Sequence, residues 1–144
     1  MNDPYRLQRF VAAQDDGRTY ETAVRELRAG RKRSHWMWFV FPQIAGLGQS
    51  ATSMTYAISS LAEARAYLGH PVLGPRLIEC VRIVGELDGG TAEDIFGHID
   101  AVKLRSSMTL FSHAGPASCP FRRILDIYFD GVADEATERL LGSR

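Results

Sequence analysis

The chain has 144 residues, 45% hydrophobic and 24% charged, with 17 Lys and Arg balancing 17 Asp and Glu. This size and composition predict one globular domain over residues 1–144, and a net charge of zero argues against a double-stranded-DNA binder, which is ordinarily strongly basic. The polar opening MNDPYRLQRF lacks the apolar centre of a secretory signal, and no apolar run approaches the roughly 20 residues that span a bilayer, so the expectation is a cytoplasmic protein with no membrane partner.

Asp3-Pro4 predicts an N-cap with proline at the first helical position, and Leu7, Phe10 and Val11 carry a first helix to about Gln14. Tyr20, Ala23, Val24 and Leu27 repeat at i, i+3, i+4, i+7, with Gly30 where a C-cap belongs. In GRKRSHWMWFVFPQ, residues 30–43, Ser34 and Pro42 bracket a third segment. Its aromatic and β-branched residues also fit a buried strand, but an isolated strand would lack a partner, so helix is favoured. Ile44 to Thr52, with Gly46 and Gly48, reads as a loop. Ser60-x-x-Glu63 is a capping-box pattern ahead of Ala64, Tyr67 and Leu68. Leu73, Leu77, Cys80, Val81, Val84 and Leu87 then form a long apolar stripe. Thr91 and Asp94 form another box before Ile95 and Phe96, and Asp100 can cap a helix carrying Leu104, Met108 and Phe111. Pro120 opens a helix with Phe121, Ile124, Leu125 and Tyr128, closed by Gly131, and Asp134 caps the last, with Ala136, Leu140 and Leu141. The expected fold is all-α, an irregular bundle of about seven or eight short helices with no coiled-coil heptads.

Arg25, Arg28, Arg31, Lys32 and Arg33 face a single acid, Glu26, within nine residues. Such a cluster suits either a solvated helix end, where the macrodipole favours cations, or a phosphate site. Adjacency to Trp36 and Trp38 favours the site, because an aromatic face can stack a heterocycle while cations hold its phosphate. Residues two apart point to different helix faces, so one of the two tryptophans is expected in the core. His35 lies inside the cluster, and imidazole is the side chain that exchanges a proton near neutral pH. In KLRSSMTLF, Lys103 lies one turn from Ser106 and Ser107, a cation with two hydroxyls suited to an anionic or polyhydroxylated ligand. Packing alone would also explain the two serines. Asp100 is the best-placed carboxylate, close to Lys103. His70, His98 and His113 form no ligand-spaced cluster, so neither a metal nor a cofactor is expected, and Cys80 and Cys119 read as free thiols.

GRKRSHWMWFVFPQIAGLGQS, YAISSLAEARAYLGHPVLGPRL, IFGHIDAVKLRSSMTLF and the late FDG resemble the domain-of-unknown-function family 1810. Its bacterial members are often mislabelled calpastatin, and nothing in this sequence suggests a protease inhibitor. The resemblance covers nearly the whole chain and implies a mostly helical single domain with no assigned activity. A fainter similarity is to the NADAR group, named for NAD and ADP-ribose, whose relatives are helical N-glycosidases. It rests on Phe10 to Gln14, Glu63 to Gly69 and Lys103 to Phe111, and the glutamate-histidine segment typical of that group is absent.

Together these readings predict a binding site or enzyme for a phosphorylated nucleotide or nucleoside derivative, with N-glycosidic or ADP-ribose chemistry the first to test. Arg31, Lys32 and Lys103 would neutralise phosphate, and Trp36 or Trp38 would stack the ring. Gln43, Ser106 and Ser107 would read polar edges, with His35, Lys103 and Asp100 as the catalytic candidates. The alternative is a non-catalytic module whose basic segment 25–33 docks an acidic protein or RNA. A monomer or weak dimer is expected.

Overall fold

In the computed structural model, which describes residues 3–142, the helices in chain order are α1 (Gln8–Asp15), α2 (Thr19–Arg28), α3 (Met37–Val40), α4 (Ala51–Thr55), α5 (Leu61–Gly69), α6 (Leu73–Glu86), α7 (Ala92–Phe96), α8 (His98–Ala114), α9 (Phe121–Tyr128) and α10 (Glu135–Gly142). A short 3₁₀ turn, Asp16–Arg18, links α1 to α2. The only β feature among the described residues is an isolated parallel bridge between Ile44 and Ile58. The fold is therefore all-α, and no helix of the described residues is long and apolar enough to cross a membrane.

Three- and four-residue apolar spacing decides the packing. Leu104, Met108 and Phe111 share one face of α8 and are buried, and the helix packs on α5, α7, α9 and α10. The stripe on α6 is likewise buried and contacts α2, α5 and α9. Where α5 meets α6 the backbones nearly touch. A Cβ on Gly74 would lie 2.1 Å from the carbonyl oxygen of Leu68, so only glycine permits that approach.

Two polar networks fix α1 against its neighbours. The Arg9 guanidinium reaches the Glu63 carboxylate at 2.9 Å and donates to the carbonyls of Thr55 and Ala57, both also at 2.9 Å. It thereby holds the segment after α4. Gln14, almost fully buried, donates to the Phe39 carbonyl at 2.8 Å and to the Tyr67 hydroxyl, and accepts from Arg76. These bonds satisfy groups whose burial would otherwise be costly.

Several local expectations are corrected. The first helix starts at Gln8, not at Pro4, because the Asp3 carboxylate accepts from the amides of Leu7 and Gln8 and so closes a turn rather than capping at Pro4. Ser34 does not cap a helix: its hydroxyl donates to Glu26, and only Met37–Val40 is helical. The loop reading of Ile44 to Thr52 misses α4, which Ser50 caps by accepting from the Ser53 amide. Ser60 caps α5 as expected, but Glu63 turns to Ser59 and Arg9 instead of completing the box. Asp100 is not a cap; Gly97, at φ +81°, precedes α8, and Asp100 sits in its first turn. The Thr91–Asp94 box and the Asp134 cap form as expected.

Candidate functional site

The loop between α2 and α3 is built around one carboxylate. Ala23, Glu26 and Leu27 lie on the buried face of α2, so Glu26 points inward and is 8% exposed. It accepts from the Arg33 and Ser34 amides at 2.8 and 2.9 Å, the Ser34 hydroxyl at 2.6 Å and the Trp36 indole N–H at 2.9 Å. Burial pushes this carboxyl up, but the hydrogen bonds from Ser34, Arg33 and Trp36 together outweigh it and hold it down at about 2. Trp36 is thus a core residue, 1% exposed, whose polar atom is satisfied.

Trp38, two residues on, points elsewhere and is half-buried. Its indole stands where three hollows meet. The first, of about 500 Å³, lies between Trp38, Gln43, Gln49, Met54, Tyr56 and Ala57. The second, of about 520 Å³, shares Trp38, Gln43, Gln49 and Ser53 with the first and continues along α8 past Lys103 and Ser106. The third, of about 450 Å³, shares Trp38 and Lys103 with the second and reaches Lys32, His35 and Asp100 at the start of α8. Together they make one open groove. Gly48, in the lining of the first two hollows, packs closely on Ser53: a Cβ there would lie 2.5 Å from the Ser53 hydroxyl oxygen.

Charge in the groove is arranged around Asp100. Lys32 Nζ lies 2.8 Å from one carboxylate oxygen and Lys103 Nζ 3.3 Å from the other, leaving a net single positive charge in the trio. Each ammonium also covers a tryptophan: Lys32 Nζ is 4.9 Å from the Trp36 ring centre, and Lys103 Nζ is 4.3 Å from that of Trp38. The Trp38 indole N–H and the Ser107 hydroxyl are buried with no hydrogen-bond partner among the described residues. Native interiors leave few groups in that state, each at a cost of roughly 1–3 kcal/mol.

Of the residues singled out from sequence, Lys32, His35, Trp38, Gln43, Asp100, Lys103 and Ser106 line the groove. Ser106 already donates to the Val102 carbonyl at 3.2 Å. Three lie elsewhere. Trp36 is buried on Glu26, Ser107 is buried and lines none of the hollows, and Arg31 is exposed outside them. Sequence reasoning missed Gln49, Met54, Tyr56 and His98, which come from the unread α4 region and from the start of α8. The one available signal was Ser50, whose side chain caps α4 and could have marked a helix there.

Fold and groove together define an all-helical protein with one open, three-part cleft centred on a tryptophan. The chain belongs to the DUF1810 family, described as a protein of unknown function, whose model matches residues 4–141. It is similar to the conserved hypothetical protein Rv1873 from Mycobacterium tuberculosis, known as a crystal structure, at 53% identity over 97% of this chain and 99% of that one, with a TM-score of 0.94. No protein of curated function matches it.

Proposed function

We propose that this protein binds a phosphorylated nucleotide or nucleoside derivative in the groove between residues 32–43 and α8. The observation that carries the reading is Trp38 itself. It is half-buried where the three hollows join, with the Lys103 ammonium 4.3 Å from its ring centre. An aromatic surface and a cation in one cleft suit a planar ring joined to an anion. Lys103 and Lys32 neutralise the phosphate, and Gln43 and Ser106 offer polar edges. N-glycosidic bond hydrolysis is the reaction class the site suits first, with His35 as proton carrier and Asp100 in the same third hollow's lining.

A thermal-shift screen of ADP-ribose, NAD, nucleoside phosphates and flavin precursors tests this reading. A true ligand at 100 times its Kd adds about 2.7 kcal/mol of stability. Absence of a shift with all of them overturns it.

A second reading rests on a different surface. Arg25, Arg28, Arg31 and Arg33 are exposed, and none is in an ion pair among the described residues. That strip suits docking of an acidic partner, and it predicts salt-sensitive binding that Arg28→Glu with Arg31→Glu abolishes while leaving groove ligands unaffected.

A further inference from the structure

The groove is chemically uneven along its length. Among the described residues, the first hollow is lined by no acid, lysine, arginine or histidine: its polar groups are the Gln43 and Gln49 amides, Ser53 and the Tyr56 hydroxyl, set among Trp38, Met54 and backbone. The lysines, both histidines, Asp100 and Asp134 all lie in the second and third. A neutral ring with hydrogen-bonding edges therefore fits one end and an anion the other, but not the reverse, because a phosphate in the first hollow would lose water without gaining a countercharge.

The polar side chains also narrow the ring. Carboxamides pair with the adjacent donor and acceptor on an adenine edge, and two glutamines line this hollow. Met54, 65% exposed on its rim, is uncovered apolar surface that such a ring would shield. At the other end the charge is small. Asp100 takes up one of the two ammonium charges and Asp134, bonded to Thr137, adds a second carboxylate to the same lining, so little positive charge is left over, which suits a monophosphate better than a polyphosphate.

Resting on the nucleotide reading above, we infer that the ligand is a purine nucleoside 5′-monophosphate, bound with its base between Trp38, Met54 and the Gln43 and Gln49 amides and its phosphate on Lys103. Trp38 is the hinge of this arrangement, since it borders both ends.

The test uses adenosine, adenosine 5′-monophosphate and ribose 5-phosphate with the full chain, read by calorimetry and by the methyl resonances of ¹³C-methyl-methionine protein. Met54 is the reporter at the base end, and the fully buried Met108 is the control. Adenosine and its monophosphate are expected to shift the Met54 methyl by ring current, whereas ribose 5-phosphate leaves it in place. Lys103→Met is expected to weaken the monophosphate about tenfold and adenosine less than about twofold. Ala57→Leu, which fills the first hollow, is expected to weaken adenosine and its monophosphate together and to leave ribose 5-phosphate unchanged. The methyl shifts decide the matter even if that variant folds poorly. Binding of the monophosphate with an unmoved Met54 methyl, or equal losses for adenosine and its monophosphate in Lys103→Met, overturns the orientation and leaves the nucleotide reading standing. Binding of a pyrimidine or flavin nucleotide from the screen without any purine compound overturns the purine monophosphate assignment alone. No binding by any nucleotide overturns both.

Discussion

Trp36 and Trp38 are two residues apart and belong to different parts of the molecule. Trp36 lies in a closed region where the polar atoms are paired: its N–H meets Glu26, which also ties down Arg33 and Ser34. Trp38 lies in an open region, with its own N–H unpaired and a lysine over its ring. Both tryptophans carry a lysine, and both lysines hold the same aspartate, so charge does not separate them. What separates them is a hydrogen-bond acceptor. A buried carboxylate turns one indole into structure, and its absence leaves the other to the cleft.

Breaking the closed side should cost most. Glu26→Gln removes the charge that four donors share and replaces an acceptor with a donor, so a loss of about 3–4 kcal/mol is expected in urea unfolding. A loss below about 1 kcal/mol would show that the hub is peripheral to stability. The pH dependence follows the same group. Its folded pKa of about 2 lies below the ordinary value of 4.5, so its contribution, roughly 3 kcal/mol, is fully present above pH 5 and fades as the pH falls from about 4.5 toward 2. Acid titrations of stability for the wild type and Glu26→Gln should therefore converge at low pH, and a constant gap between them would contradict the assignment.

The tryptophans themselves sharpen the contrast. Trp36→Phe should destabilise by about 2 kcal/mol, through lost volume and a lost donor to Glu26. Trp38→Phe should change stability by less than about 1 kcal/mol, because it removes an N–H that is already unpaired, while impairing ligand binding. Equal effects on stability would erase the distinction between the two sides. The smallest change in stability is expected for Lys103→Met, within about 0.5 kcal/mol since the ammonium is partly solvated, together with weakened binding of any phosphorylated ligand. Unchanged affinity would remove Lys103 from the site.

Much of the fold is legible in residue order. The α6 stripe, the Thr91–Asp94 box, the Asp134 cap and the ridge on α8 depend on neighbours within one or two turns, and local spacing carries that information. The failures share a cause. Local spacing makes Ser34, Glu63, Asp100 and Asp3 caps, yet each spends its side chain on another group. For Ser34, Glu63 and Asp100 a distant partner decides. Even so, Glu26 was findable, since its spacing with Ala23 and Leu27 places a lone acid on a buried face. The third hollow is legible because Lys32, His35, Trp38 and Lys103 share two dense motifs. The Met54 and Tyr56 side of the first is not, because it depends on Arg9 holding the chain at Thr55 and Ala57.

By itself, then, the sequence determined an all-helical chain, the helix faces that form its core, and the juxtaposition of cations with tryptophans near residues 31–38. Helical periodicity and charge are properties of neighbours. Which tryptophan is core, which serine is buried and where a cleft opens were decided only by tertiary structure. Each of those depends on whether a partner from another element arrives within hydrogen-bond distance, and only the packed chain brings Glu26 to Trp36 while leaving Trp38 without one.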